Sequence, residues 1–289
     1  KDSVYYKVDE WECKDEFRTI QAFDYLDKIE KDKPFFLFMS YRAPHGHERE
    51  IGNKTLYADQ NWPAKERLHA AKITLLDKQI GRLLDKLEKM GMLENTLVLF
   101  SSDNGPHDEG GHKYEFFNSN GNLRGFKRDT YEGGIRVPLI AYWKGKIEAG
   151  TITKFVSGFQ DIMPTLAEVA GIKVPEQSNG ISFLPLLTGD NQKKHENLNW
   201  EFQLVGGSKN TTGGFRQAVR IDDWKGVRYG ISSKTKLYNL VEDISETNNL
   251  AAEHPEIVEK MNQLFEKTRT ETPGFPYGGV VRNSNKLNK

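Results

Sequence analysis

Two short apolar runs, each preceded by a helical pattern, constrain the fold of this chain more than any other feature of its sequence. Residues 17–29 repeat apolar side chains every three positions, and residues 64–90 do so at three- and four-residue intervals. Residues 35–39 and 96–100 follow them as continuous apolar runs that are too short for half-exposed helices. The order helix, strand, helix, strand predicts an α/β fold in which helices cover both faces of a parallel sheet.

A different pattern begins at about residue 191. Before it, residues 137–143 predict another strand, and a short helix is expected to begin at Asp161. After it come short alternating segments typical of an antiparallel sheet, then an amphipathic helix. The segments are 218–221, 226–229 and 236–240, and the helix covers 255–267. We therefore predict an α/β domain over residues 1–190 and a smaller α+β subdomain with an antiparallel sheet over residues 191–289.

Composition excludes two classes of partner. The 289 residues include 41 basic and 41 acidic residues, so the formal net charge is zero, whereas nucleic-acid-binding proteins usually carry a basic excess. No apolar run approaches the ~20 residues that cross a bilayer, so neither nucleic acid nor membrane is expected as a partner. The single cysteine, Cys13, excludes an internal disulfide.

Two oxygen-bearing side chains, Asp103 and Asn104, follow the second apolar run, with Gly105 behind them. Ligands of open α/β sheets bind at the carboxyl ends of the strands. A carboxylate and an amide oxygen are hard ligands of the kind that Ca²⁺ and Mg²⁺ prefer. The alternative is an ordinary Asp-Asn-Gly turn, and two ligands alone cannot hold calcium, which takes 6–8 oxygens.

A histidine stands in the equivalent place after the first apolar run. His45 follows residues 35–39 at a distance that would bring it to the mouth of the same crevice. Its ordinary pKa near neutrality suits a general acid. A histidine in a surface loop without a chemical role is the alternative.

Residues 105–134 form a long, polar, glycine-rich segment without clear periodicity, which in a compact domain is more often functional than idle. Its cations, among them Arg124 and Lys127, could face an anionic ligand. A solvated run of charges is the alternative. His107 and His112 add hydrogen-bonding groups that, with Arg124, suit a hydroxylated sugar.

Taken in order, these motifs resemble the second half of the type I sulfatases of the alkaline phosphatase superfamily. The motifs are Pro-His at 44–45, Ser-Asp-Asn-Gly at 102–105, Gly-x-Lys at 125–127 and Glu-Gly-Gly-x-Arg-Val-Pro at 132–138. The resemblance implies part of the parallel-sheet sandwich of that superfamily, with residues 1–190 as the later part of its catalytic domain.

The resemblance also implies roles for individual residues. Asp103 and Asn104 would be calcium ligands, with magnesium as the other possibility; Lys127 would bind a sulfate oxygen, and His45 would assist departure of the alcohol. Apart from the resemblance, the polar side chains of the glycine-rich segment lead us to expect substrate contacts from His107, His112 and Arg124. Related two-metal phosphatases place a histidine beside the equivalent aspartate, so the neutral Asn104 favours a single-metal site and a monoanionic sulfate ester.

The nucleophile of that family is a formylglycine made from Cys or Ser in a C/S-x-P-x-R segment, and no such segment occurs in this sequence. Cys13 lacks the proline and the arginine. We therefore expect a truncated sulfatase whose N-terminal segment is missing, and which is inactive alone. Asp222 and Asp223 are expected to form a hairpin turn and not a metal pair. Sulfatases of this type suggest a periplasmic, extracellular or lysosomal location.

Three functions are compatible with these residues. The first is hydrolysis of the sulfate ester of a carbohydrate. The second is hydrolysis of a phosphate or phosphonate ester on the same scaffold. The third is a non-catalytic remnant that binds sulfated glycans.

Overall fold

The computed structural model describes residues 13–46, 55–203, 214–270, 272 and 277, which form two compact units. Unit 1 comprises Lys1–Val98, His107–Ser119 and Tyr142–Gly145. Unit 2 comprises Leu99–Pro106, Asn120–Ala141 and Lys146–Lys289. The domain boundary near residue 191 stays a prediction. Among the described residues, none of the helices is both long and apolar enough to cross a membrane.

Unit 1 is built on two packed helices, α1 (Lys14–Leu26) and α2 (Ala64–Lys89). Both were predicted, although α1 begins and ends three residues earlier than its apolar spacing indicated. Arg82 of α2 pairs with Glu16 of α1 at 2.9 Å. Cys13 forms a small core with two apolar residues of α2, Ala71 and Leu75.

The predicted buried strand at residues 35–39 is wrong, because the structure assigns no strand there. Phe36 and Phe38 are 68% and 77% exposed. A strand of a parallel sheet needs neighbours on its edges and layers on both faces, and in the described part of the chain nothing pairs with these residues in a sheet. Their apolar composition resembles that of a strand, but the described residues form no strand there.

The other two predicted strands of the α/β region are confirmed. They are β1 (Val98–Ser101) and β2 (Leu139–Tyr142), which pair in a two-stranded sheet. A four-residue helix, α3 (Glu132–Ile135), precedes β2 and was not predicted. Ile140 of β2 is 58% exposed, so this sheet also leaves apolar surface uncovered.

The C-terminal part of unit 2 is an antiparallel sheet in the order β3-β4-β5-β6, and the predicted antiparallel arrangement is confirmed. The strands are β3 (Leu198–Gln203), β4 (Phe215–Ile221), β5 (Trp224–Tyr229) and β6 (Lys236–Asn239). Ile221 pairs with Trp224, so Asp222 and Asp223 form the predicted hairpin turn. Strand β3 was not predicted.

Helix α6 (Pro255–Lys267) covers one face of this sheet, and its bounds are those predicted. Met261 and Phe265 of α6 form a core with Val219 and Leu237. The other face is covered by Tyr131, which precedes α3. Two shorter helices, α4 (Ile162–Val169) and α5 (Leu184–Thr188), complete the unit. The predicted helix start at Asp161 is confirmed to within one residue, since a 3₁₀ turn, Phe159–Asp161, leads directly into α4.

Candidate active site

The turn that follows β1 presents the two predicted oxygen ligands. Asp103 is exposed and Asn104 is half-buried. The Nδ2 of Asn104 donates to the carbonyl of Gly105 at 2.9 Å, and Ser102 Oγ donates to the carbonyl of Asn104 at 3.0 Å. Because the amide nitrogen of Asn104 is held by this turn, its Oδ1 is the atom left to act as a ligand.

Glycines bind this turn tightly to the glycine-rich segment. The backbone N–H of Gly105 donates to the carbonyl of Gly134 at 3.0 Å. A Cβ at position 105 would lie 1.9 Å from the carbonyl oxygen of Gly133, a distance that no side chain can occupy. Lys127 donates its backbone N–H to the carbonyl of Pro106 at 2.7 Å. The structure therefore brings the backbone of Lys127 beside the Asp103-Asn104 turn.

Arg124, predicted to contact substrate, is held inside unit 2. Its Nη1 donates to the carbonyl of Glu246 at 2.7 Å and to the hydroxyl of Tyr238 at 3.2 Å. Its guanidinium also lies 4.1 Å from the ring centroid of Tyr131. These contacts join the glycine-rich segment to the antiparallel sheet, and a role in substrate binding stays a prediction.

A buried ion cluster, formed by Glu132, Lys225 and Glu246, lies behind the same segment. The Nζ of Lys225 is 2.8 Å from Glu132 Oε1 and 3.0 Å from Glu246 Oε1. Glu246 Oε2 also accepts the backbone N–H of Glu132 at 2.7 Å. The cluster fixes the start of α3, five residues after Lys127, against strand β5. Sequence reasoning missed it because its members are far apart in the chain.

One ammonium between two buried carboxylates cannot serve both equally. For Glu132, burial favours the neutral carboxyl, but Lys225 and nearby arginines outweigh burial and lower its pKa. For Glu246, burial dominates and raises the pKa in spite of Lys225. The fold therefore stabilises the ionised form of Glu132 and disfavours the ionised form of Glu246.

In unit 1, the loop that carries His45 is held by α1. Asp15, in the first turn of that helix, is buried. Its carboxylate accepts the backbone N–H groups of Arg42 at 2.9 Å and of Ala43 at 2.8 Å. Lys72 of α2 donates to the carbonyl of His45 itself at 3.0 Å. These contacts hold the backbone around His45, whose side chain is 32% exposed.

His107 and His112, also predicted to contact substrate, are buried in unit 1. His107 Nδ1 accepts the backbone N–H of Glu109 at 2.9 Å, so its Nε2 carries the proton and donates to the carbonyl of Pro44 at 3.2 Å. His112 Nδ1 lies 2.5 Å from Glu66 Oε2. The structure thus brings His107 to the His45 loop, and the substrate roles of both histidines stay predictions.

His69 stacks on His112, with ring centroids 3.6 Å apart and planes 4° from parallel. Burial and the nearby His112, His107 and Lys72 lower the pKa of His69 to about 3. Its unfolded pKa is about 6.5. Below that pH, His69 is protonated in the unfolded chain but stays neutral in the folded chain. The free energy of unfolding therefore falls as the pH drops from 6.5 towards 3.

We expect the His69→Gln variant to lose this pH dependence. Between pH 6.5 and 4.5, the free energy of unfolding of the wild-type chain should fall more steeply than that of the variant. The difference between the two slopes should correspond to the uptake of about one proton on unfolding, reduced by solvent screening. Urea denaturation at several pH values measures the slopes. In NMR, a His69 imidazole that titrates near pH 6.5 would contradict the prediction.

The donor set of the turn fits a hard cation but does not complete a site. Asp103 supplies a carboxylate and Asn104 an amide oxygen, both suited to Ca²⁺ or Mg²⁺. Within the described ranges, no three His, Cys, Asp or Glu side chains are grouped closely enough to hold a metal ion. A calcium ion bound there would need further oxygen ligands, so the metal stays a prediction. The convergence of Asp103, Asn104, Lys127 and His45 on one site also stays a prediction.

Comparison with known families decides what kind of chain this is. The family model described as Sulfatase matches residues 1–172, which is more than half of the sequence. This chain belongs to the sulfatase family. A second model, described as N-sulphoglucosamine sulphohydrolase, C-terminal, matches residues 123–271. The family resemblance of the motifs is therefore confirmed.

Curated relatives of this chain agree with the family assignment. The N-acetylgalactosamine-6-O-sulfatase of Bacteroides thetaiotaomicron is 30% identical over 257 residues, covering 83% of this chain and 48% of the relative. Human arylsulfatase A is 33% identical over 177 residues, covering 60% of this chain and 32% of the relative. The chain thus spans about half the length of the first of these and less of the second.

Solved structures confirm the fold class of this chain. The structure of Ps i-CgsB in complex with k-i-k-neocarrahexaose superposes with a TM-score of 0.74 at 26% identity, covering 88% of this chain and 54% of that one. The structure of BT4656 in complex with D-Glucosamine-2-N, 6-O-disulfate gives a TM-score of 0.57 at 27% identity, covering 71% and 40%.

Proposed function

We propose that this chain is the later part of a sulfatase that hydrolyses the sulfate ester of a carbohydrate. The observation that carries the proposal is the bond from the Lys127 N–H to the Pro106 carbonyl at 2.7 Å, which sets a lysine beside the Asp103-Asn104 turn. A lysine whose backbone adjoins two hard oxygen ligands suits an ester that develops negative charge on several oxygens. The sugars named with the solved relatives support a carbohydrate as the alcohol.

Hydrolysis of a sulfate ester breaks the bond between sulfur and the alcohol oxygen; water provides the hydrogen of the released alcohol and the hydroxyl group of the released sulfate. Lys127 would bind a sulfuryl oxygen and neutralise charge on it. His45 would give its proton to the departing alkoxide, which is otherwise a poor leaving group. A calcium ion held by Asp103 and Asn104 would supply Lewis-acid polarisation of the sulfate oxygens.

The nucleophile in this proposal is a formylglycine contributed by a segment outside the present sequence, because no C/S-x-P-x-R pattern occurs in the 289 residues. The neutral Asn104 favours sulfate over phosphate, since a metal site of lower charge suits a monoanionic ester. The exposed Phe36, Phe38 and Ile140 support a need for further chain, because a complete sheet would cover such side chains.

A direct assay tests the function. N-acetylgalactosamine 6-sulfate is incubated with the 289-residue chain and with a longer protein in which a formylglycine segment precedes it, and released sulfate is measured by ion chromatography. We expect turnover by the longer protein only, lower rates after chelation, and recovery with calcium. The matching sugar phosphate should react more slowly.

Each other result would change the assignment. Faster cleavage of the sugar phosphate would indicate a phosphoryl or phosphonate hydrolase. Saturable binding of sulfated sugar without any product from the longer protein would indicate a glycan-binding remnant. Sulfate release by the 289-residue chain alone would refute the requirement for an external nucleophile.

A further inference from the structure

A carboxylate faces the side chain of His45 from a neighbouring loop. Glu109 begins a 3₁₀ turn, Glu109–Gly111, and its side chain is 10% exposed. Its Oε2 lies 3.4 Å from Nε2 of His45. Glu109 belongs to none of the sequence motifs, because it is 64 positions from the histidine and lies in a loop without periodicity.

The backbone of Glu109 is fixed independently of this ion pair. Its N–H donates to His107 Nδ1 at 2.9 Å, and the same imidazole donates to the carbonyl of Pro44 through Nε2 at 3.2 Å. One buried ring therefore ties Glu109 to the residue that precedes His45. An imidazole that bridges two backbone groups in this way holds a single tautomer.

Two glycines bring the loops closer than any other residues could. A Cβ at Gly46 would lie 2.4 Å from Cβ of Glu109, and a Cβ at Gly110 would lie 2.4 Å from the carbonyl oxygen of Gly46. Gly110 also has a φ of 68°, a conformation that L side chains rarely adopt. The sequence is therefore built to place the Glu109 carboxylate against the His45 loop.

The part of unit 1 that the structure describes places several ionisable groups near His45. The first is Glu109 at 3.4 Å, and the second is the His107 ring, whose centroid is 6.2 Å from that of His45. The third is Lys72 of α2, which donates to the carbonyl of His45. Among these described groups Glu109 carries the negative charge, so it favours a protonated imidazole.

We propose that Glu109 is a positioning residue that orients the His45 imidazole and keeps it charged for proton donation to the leaving alcohol. This inference rests on the proposed function and deepens it. With Nε2 facing the carboxylate, the proton that His45 gives to the departing oxygen is the one on Nδ1. That proton moves as the bond from sulfur to oxygen breaks, and Glu109 then faces a neutral imidazole.

The ion pair is tested first without any catalysis, by NMR of the 289-residue chain. We expect Glu109→Gln to lower the titration midpoint of the His45 imidazole by about one pH unit, because an opposite charge at this distance favours the protonated form. Asp108→Asn, which removes the neighbouring half-buried carboxylate, should leave that midpoint unchanged. Equal midpoints in wild type and Glu109→Gln would overturn the proposal.

The consequence for catalysis is tested in the longer protein with two substrates that differ in leaving group. A sugar sulfate needs a proton on its departing oxygen, whereas nitrophenyl sulfate releases a stable anion and needs it far less. We expect Glu109→Gln to lower kcat for the sugar sulfate by about 10- to 100-fold, with KM little changed, and to spare nitrophenyl sulfate. The alkaline limb of the pH profile should move to lower pH.

These two arms fail separately. If the wild-type longer protein releases no sulfate, the proposed function fails while NMR still decides whether Glu109 controls the ionisation of His45. If Glu109→Gln slows both substrates equally and thermal unfolding shows a loss of stability, Glu109 is a structural residue and the proposal is overturned.

Discussion

Replacing Lys225 with methionine is expected to lower the free energy of unfolding by about 3–5 kcal/mol. Lys225 is fully buried and sits between the Glu132 and Glu246 carboxylates, at 2.8 Å and 3.0 Å. Without its ammonium group, two buried carboxylates would repel each other in a medium that solvates neither. Urea denaturation followed by tryptophan fluorescence measures the loss.

A matched control separates this effect from the loss of any lysine in the sheet. Lys236 lies exposed on β6, and Lys236→Met should change stability by no more than about 0.5 kcal/mol. Changing Glu132 and Glu246 to glutamine in the Lys225→Met background should recover part of the loss, because the buried charges are then gone. A Lys225→Met chain as stable as Lys236→Met would show that the arginines near Glu132 compensate the cluster.

The second large effect concerns Lys127. In the longer protein, Lys127→Ala should lower kcat for the sugar sulfate by about 10²–10³-fold, the usual cost of removing one group that stabilises developing charge. The segment is held by the backbone N–H of Lys127 and not by its side chain alone, so we expect the fold to survive the substitution. Unfolding temperatures of the two proteins check this.

Lys146→Ala is the control, since Lys146 is an exposed lysine of the same unit. It should leave kcat unchanged. Binding of sulfated sugar that is equally tight in wild type and Lys127→Ala, together with unchanged turnover, would remove Lys127 from the site.

Local patterns predicted local structure well. Helix α6 was located to the residue because Pro255 suits a first helical turn and the apolar positions of 257–265 recur at helical spacing. Strand β3 was missed because Asn199 and Glu201 interrupt its apolar character, and only pairing with β4 reveals it. The prediction for residues 35–39 failed in the opposite way: the run has the composition of a strand, but no described residue pairs with it in a sheet.

In the candidate site too, local sequence patterns predicted individual residues but not the contacts between distant ones. Motif order identified Asp103, Asn104, Lys127 and His45 as residues of interest, because each follows an apolar run or lies in a glycine pattern. No local signal could join Glu109 to His45, or Lys225 to Glu132 across 93 positions, since such contacts arise only from the tertiary fold. Gly46 and Gly110 are the residues in the sequence that hint at the contact between Glu109 and His45, because both permit a close approach of the two loops.

The hydrogen bonds from the amides of Arg42 and Ala43 to Asp15 affect where the ends of a shorter fragment of this protein should be placed. A fragment that starts downstream of α1 would strip two backbone donors of their acceptor, right next to His45. Such a fragment could keep α2 and the whole antiparallel sheet, pass a circular dichroism check for secondary structure, and still present His45 in a different place. Expression boundaries that respect only visible helices and strands would overlook this.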